Sequence, residues 1–295
     1  MEMETINSVK FKRRGRRAAR IAPVLLFAVL PLAAQPAPAA GDESAEREAA
    51  PPERPRTTDA TSRRLIANYL AASGGRRSHD AVRNIRAAGT IDEAGKTRTF
   101  TLIETRDGQR RLSTKWRHLG RDYHEVRAFD GLVAWEQRLL PKRKEPEELR
   151  GVELGFFARQ RWLLHPFVLP LGAKYVFDYQ GKAKVKGRPA YIVSAWGPKN
   201  VRSWFYFDAG TFLVTRHGGT GLIAGVEEYL DYRATRFEYV DGILLPKEIE
   251  LLAENDAFGR VIFEKIETNI SLESDAFAMP PSRIPLLRSR KTGKD

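Results

Sequence analysis

Residues 204–225 read WFYFDAGTFLVTRHGGTGLIAG. Two folds compete for this stretch. Gly219-Thr220-Gly221-Leu222-Ile223-Ala224 fits the pattern G-x-G-x-x-A, and the apolar run Phe212-Leu213-Val214 precedes it. Asp241 stands roughly twenty positions beyond Gly221, where a dinucleotide site keeps its ribose-binding acid. Such a site needs a parallel strand–helix–strand unit, with the pyrophosphate on the helix N-terminus. The flanking residues argue against one. Ser203–Phe207 reads as a strand, Asp208-Ala209-Gly210 as a tight turn and Phe212–Arg216 as a second strand. Val226–Tyr232 is compatible with a helix, but Thr235–Leu245 (TRFEYVDGILL) is again a hairpin, with Asp241 in its turn. The stretch therefore reads as antiparallel sheet, and its glycines as a loop joining two strands at the sheet edge.

The same rhythm holds through most of the chain. After Gly89 the segments are short, partly alternating, and rich in Thr, Val and aromatic residues. Ala94-Gly95, Asp107-Gly108, Asp130-Gly131, Asp208-Ala209-Gly210 and Asp241-Gly242 punctuate them. Asp-Gly between alternating apolar residues signals a hairpin, because both central residues of that turn need positive φ. Helices are few. Thr61–Gly75 places Leu65, Ile66, Tyr69 and Leu70 on one face and ends in Gly74-Gly75. A second short helix is expected from Ser78 or Asp80 to about Ile85. A third segment, Glu145–Trp162, reads as a helix or as a helix with a break at Gly151; Phe156, Phe157, Leu163 and Leu164 give it an apolar side, and Pro166 and Pro170 end it.

The ends differ from this middle. Seven Lys/Arg between Lys10 and Arg20 precede the apolar run Ile21–Ala34, and Ala37-Pro38-Ala39 offers a signal-peptidase site. The run is short for a membrane span of ~20 residues and contains Pro23 and Pro31. Residues 1–40 are thus expected to be a signal peptide cleaved near Ala39, which places the protein in the periplasm. Residues 41–60 are Pro-, Ala- and charge-rich and read as a disordered linker. Residues 61–281 form the folded domain, and 282–295 a basic tail in which Ile284, Leu286 and Leu287 can dock. Of the formal net charge of +13, the first 40 residues carry +5 and the rest +8. A basic exported domain favours acidic partners. The densest basic cluster lies in the targeting segment, which argues against nucleic acid.

No catalytic constellation emerges. The absence of cysteine among the 295 residues removes disulfides, thiolate metal sites, a thiol nucleophile and a lipid-attachment cysteine. None of His79, His118, His124, His165 and His217 has the spacing of a helical metal pair. His118, Asp122 and His124 share one segment and offer a metal site only if a distant acid joins them. Glu227, Glu228 and Asp231 read as exposed strand charges rather than paired catalytic carboxylates. No G-x-S-x-G elbow occurs. No cofactor is expected. The aromatics remain: five Trp, 15 Phe and nine Tyr on a sheet with little helix to cover it. A curled sheet whose hollow side is not filled by helices is left with an apolar cavity.

Several landmarks taken together resemble a known family. They are ANYLAASGGRRSHDAVRNIRAAGTI (67–91), AFDGLVAWE (128–136), WFYFDAGTFLVTRH (204–217), FEYVDGILLPKEIEL (237–251) and IETNISLESDAFAMP (266–279). In order and spacing they are similar to the periplasmic outer-membrane lipoprotein-sorting (LolA/LolB-like) superfamily, over roughly residues 61–281. The resemblance implies a mainly β (α+β) fold: a single strongly curved antiparallel sheet, a half-open barrel, lidded by a few short helices. It implies no enzymatic chemistry, and a hollow that holds acyl chains. The chain departs from the family in its tethered N-terminus and basic tail, and in lacking a residue to equate with the carriers' functional arginine.

The expected function is therefore a periplasmic binding or carrier protein for an acyl-chain-bearing ligand, a lipid or an acylated lipoprotein, with transient membrane contact. The alternative is an envelope regulatory or structural module that binds another protein; a hollow packed with its own Phe and Trp would mark it. The candidate hollow and lid residues are Phe129, Trp135, Phe156, Phe157, Trp162, Phe167, Trp204 and Tyr206. The facing of each strand stays open at this stage, because a register error of one residue inverts it.

Overall fold

A computed structural model describes residues 54–169, 175–197, 202–223, 226–253 and 255–282. The signal segment, most of the linker and the tail with Ile284, Leu286 and Leu287 lie outside the described residues. Among the described residues there are three α-helices: α1 (Ala60–Ala72), α2 (Arg76–Ala81) and α3 (Gly151–Arg159). The strands are β1 (Asn84–Glu93), β2 (Lys96–Thr105), β3 (Arg110–His118), β4 (Arg121–Phe129), β5 (Ala134–Leu140) and β6 (Glu147–Leu149). After α3 come β7 (Val176–Val185), β8 (Arg188–Trp196), β9 (Arg202–Asp208), β10 (Val214–Ile223), β11 (Val226–Val240), β12 (Ile243–Ala253) and β13 (Asp256–Thr268). All thirteen form one antiparallel sheet in the order β6-β5-β4-β3-β2-β1-β13-β12-β11-β10-β9-β8-β7. Each neighbour in the sheet is a neighbour in the chain except β1 and β13, which join the two halves from Ile85↔Thr268 to Glu93↔Gly259.

The turns follow from local chemistry. Asp241 and Gly242 take φ of 47° and 82°, and Ala94 and Gly95 take 47° and 76°, the two successive positive values that a two-residue hairpin requires. Asp208 instead folds its own turn, its Oδ1 accepting from the backbone N–H groups of Gly210 at 3.1 Å and Thr211 at 2.9 Å.

The sheet is strongly curled, and one side chain proves it. Five strand steps separate β3 from β11, about 24 Å in a flat sheet. Yet Arg110 of β3 donates to Gln160 Oε1 at 3.1 Å, and Gln160 Nε2 donates to the Tyr232 hydroxyl of β11 at 2.7 Å. A single glutamine bridges the gap, so the sheet wraps around the segment that carries it. One apolar cluster accordingly draws on β1 and β2, on β9 and β10 and on α1 together. We call this side of the sheet inner and the other outer.

Helix α1 closes one end of the hollow. Asp59 caps it, its Oδ1 accepting from Ser62 N–H at 2.9 Å. The other oxygen of Asp59 accepts from Tyr179 N–H of the edge strand β7 at 2.8 Å, so the cap also seals that edge. Leu65, Ile66, Tyr69 and Leu70 are buried, as their spacing predicts. The stop at Gly74 is set by close approach: a Cβ there would lie 2.0 Å from the carbonyl oxygen of Gly242.

Several expectations need correction. The glycines of 217–221 are not an edge loop but lie inside β10: Gly218 and Gly219 are paired on both sides, by β9 and β11, and Gly221 is paired with β11. Gly218 makes room for a buried carboxylate, since a Cβ there would meet Asp231 Oδ1 at 2.0 Å. Val226–Tyr232, whose sequence is also compatible with a helix, is strand. The second helix starts at Arg76 and ends at Ala81, because Ile85 belongs to β1. The segment 145–162 is not one helix. It splits into β6, α3 and an irregular stretch from Gln160 onward.

Candidate functional site

The hollow is occupied by the chain itself. After α3, residues 160–168 leave helical geometry and run along the inner face, ending in a 3-10 turn at Pro166–Val168. We call this stretch the plug. Trp162, Leu163, Leu164, Phe167 and Val168 are all buried in it. The Trp162 ring meets Phe100 at 5.9 Å and Phe263 at 6.1 Å, both edge-on. Phe167 packs edge-on against Tyr69 at 5.0 Å and Phe205 at 5.3 Å.

A non-helical buried segment must find partners for its backbone groups. One carboxylate supplies three of them. Glu104, fully buried on β2, accepts from the N–H groups of Trp162 at 2.9 Å, Leu163 at 3.2 Å and Leu164 at 2.9 Å. Arg110, also fully buried, balances its charge at 3.5 Å and lies over the Phe157 ring at 4.8 Å and the Trp162 ring at 5.1 Å. Burial pulls Arg110 down to about 10, which still leaves it charged at neutral pH. Arg161 completes the set by donating to the carbonyls of Leu164 at 2.5 Å and Thr105 at 2.6 Å. The plug is thus greasy in its side chains and ionic in its fastening.

A cleft of about 20 Å³, room for about one water molecule, opens between Ile91, Glu93, Phe156, Trp162, Leu251 and Phe258. Glu93 faces Arg98 at 3.4 Å in a pair that is almost wholly buried, and burial raises the Glu93 carboxyl. Farther along the plug, His165 lies 4.9 Å from His217 of β10, both buried. Burial is the main cause that lowers both imidazoles, His217 to about 4.

The eight candidates divide by face. Phe156, Phe157, Trp162 and Phe167 come together on the inner side, and Phe129 packs against the same cluster. Trp135, Trp204 and Tyr206 point the other way. On β5 it is Ala134 that shares Phe129's face, so Trp135 is on the outer one. There it packs with Val126 and Ala128, donates Nε1–H to the carbonyl of Phe277 at 2.9 Å, and is covered by the strand-free segment after β13. On β9 it is Phe205 and Phe207 that are buried inward, which turns Trp204 and Tyr206 outward beside Gly218 and Arg216. His118 and His124 sit on opposite faces of the β3–β4 hairpin, and Asp231 is ion-paired to Arg216. Among the described residues, no three metal-ligating side chains gather.

Glu104, Arg110, Gln160, Arg161, His165 and His217 carry the fastening, and none was singled out for it from the sequence. A signal did exist for the first two. Phe100, Leu102 and Glu104 alternate on one face, as do Arg110, Leu112 and Thr114, so a charge stands at an inward position in each.

No protein-family model and no curated protein matches this sequence. Solved structures do. The chain is similar to a putative outer membrane lipoprotein-sorting protein domain from Vibrio parahaemolyticus, at 11% identity and TM-score 0.49, covering 74% of this chain and 96% of that one. It is similar to a LolA superfamily protein from Nitrosomonas europaea, at 10% identity and TM-score 0.47, covering 73% and 96%. It is also similar to a DUF1329 family protein from Desulfovibrio piger, at 14% identity and TM-score 0.43, covering 73% and 96%. Among the described residues, no helix is long and apolar enough to cross a membrane.

Proposed function

We propose that the protein is an exported binding or carrier protein for an acyl-chain-bearing ligand, a lipid or an acylated lipoprotein, and that the plugged form is its closed state. The observation that carries this reading is the plug itself. A curled sheet lined with Phe100, Phe263, Phe205 and Leu251 is filled by a stretch of nine residues that is neither α-helix nor strand and ends in a single 3-10 turn. Withdrawal of that stretch would uncover an apolar trough. An acyl chain entering it gains ~0.8 kcal/mol for each buried methylene, which offsets the apolar contacts that Trp162, Leu163 and Phe167 give up. The cleft beside Phe156 and Phe258 is the natural entry, since both rings are only partly buried.

The test is saturable uptake of a fluorescent fatty-acyl probe by the full chain. Phe156→Asp and Phe258→Asp are expected to weaken uptake at least tenfold. Trp204→Asp, on the outer face, is expected to leave it unchanged. Folded protein that takes up no probe at any concentration would sink the carrier reading. One observation favours a second reading, a protein-binding envelope module: Trp162, Leu163, Leu164 and Phe167 are already buried in the core on the inner face, so the chain's own side chains occupy the hollow. Under that reading the plug never leaves, and none of the three variants changes anything about acyl probes.

A further inference from the structure

Three buried histidines line the contact between the plug and its surroundings. His165 belongs to the plug, His217 to β10 and His79 to α2. Tyr69 of α1 stands between them, with its ring 5.9 Å from His79 and 6.2 Å from His165. His165 is closed in by Phe205 at 5.4 Å and Phe167 at 5.2 Å, and His217 stacks on Tyr232 at 5.1 Å and Phe205 at 5.8 Å. These are apolar walls. Nδ1 of His165 and Nε2 of His217 are buried without a hydrogen bond.

A proton added to either ring would meet no adjacent acid. The charged and titratable groups facing the pair are few. From the plug, Arg161 repels His165, although its backbone holds a hydrogen bond to His217. From β2, Glu104 attracts His217 only at longer range, and its oxygens are already committed to three N–H groups. From β3, Arg110 stands behind Glu104. From α2, His79 adds a like charge if it too is protonated; its own neighbours are Arg76, Asp80 and Arg106. The Arg216–Asp231 pair lies on the opposite face of the sheet. The two rings also repel each other once charged.

We propose that His165 and His217 form an acid-sensitive latch: uptake of a proton at their contact expels the plug from the inner face while the sheet stays intact. Charge is avoided in the closed form and tolerated once the plug reaches water, so acidification shifts the balance toward the open one. Two geometric facts localise the effect to the plug. His165 sits in the plug itself, and the ring it meets lies on a strand whose own ladder does not depend on that contact. The latch stands whether or not an acyl ligand is the natural occupant of the hollow.

The test is an amide NMR titration of the full chain from pH 7.5 to 4. The expected result is that the amides of Trp162, Leu163 and Leu164 move toward exposed-chain positions as pH falls below about 6.5. The open fraction should rise by up to about tenfold per pH unit for each of the two rings that takes up a proton on opening. Amides of Ile91 and Val261, in the paired centre of the sheet, should hold their positions. In a His165→Phe/His217→Gln double variant the plug amides should stay in place down to pH 4. If that variant folds poorly at pH 7.5, His217→Gln alone should lower the midpoint. A variant that opens at the same pH as the parent overturns the proposal, because a carboxylate such as Glu104 then drives the change. Simultaneous loss of the Ile91 and Val261 signals overturns it too, since the event is then global unfolding.

Discussion

Glu104 holds three backbone N–H groups that no other described group holds, and it does so from a fully buried position beside Arg110. Glu104→Ala removes those acceptors and leaves a buried guanidinium without its carboxylate. The expected loss is about 3–5 kcal/mol, the cost of breaking a buried ion pair from one side, read as a shift of the urea midpoint. A loss below about 1 kcal/mol would mean that water already serves the plug. Gly218 makes the opposite kind of demand. A Cβ there would lie 2.4 Å from the backbone carbonyl oxygen of Leu230 as well as against Asp231, and a paired strand cannot retreat from that. Gly218→Ala is therefore expected to cost more than about 2 kcal/mol, whereas Gly95→Ala, with open space around it, costs only its φ strain. Thermal unfolding of the two variants separates these cases. Residue roles were the least legible part of the sequence. Glu104 could be placed inward by alternation, but its partners lie 58 to 60 positions away. The outward aromatics show the same limit. Trp135 is almost wholly buried on the outer face only because Phe277, 142 positions on in the chain, covers it.

At the scale of elements, turn chemistry carried most of the reading. Asp-Gly and Ala-Gly pairs mark hairpins where the structure has them. Leu119-Gly120 and Lys186-Gly187 turn the chain in the same way, with φ of 48° and 47° at Leu119 and Lys186, but neither residue favours the left-handed region, so the sequence hides them. The plug was hidden for another reason. RQRWLLHPFV (159–168) continues an apolar helical pattern, and only the fastening from β2 makes the non-helical path affordable. Two expectations belong here. The segment after β13 is pinned where Phe277 and Ala276 offer their carbonyls to Trp135 and Arg111. Phe277→Ala keeps that carbonyl but empties a buried ring site, and is expected to cost about 3–5 kcal/mol; a urea titration checks it. The plug–β10 contact makes stability depend on pH. His217 titrates near 4 in the fold, because burial penalises its charge, and near 6.5 when unfolded. The unfolded chain therefore binds more protons in that window. Stability from this group is full above about pH 6.5, falls as pH drops toward 4, and is flat below; the total is about 3 kcal/mol, with His165 adding in the same direction. Urea midpoints of parent and His217→Gln, compared at pH 7.5 and 4.5, test the sign and the size.

For the whole molecule, the topology follows from the hairpin rhythm: among the described residues, two runs of hairpin-linked strands, β1–β6 and β7–β13, join into one open sheet where β1 meets β13. A sheet of that width cannot bury its apolar face flat, and with three short helices to cover it, it curls around whatever fills the middle. The sequence does not say what fills it, because filler and ligand call for the same apolar lining. The central claim is that the plug and an acyl chain compete for one hollow. Hydrogen exchange at Trp162, Leu163 and Leu164, with and without a saturating fatty-acyl ligand at pH 7.5, tests it most directly. The expected result is that their protection falls at least tenfold when ligand binds, while Ile91 and Val261 stay protected. Bound ligand with undiminished protection at those three amides would contradict the account, because the chain would then be carrying its cargo somewhere else.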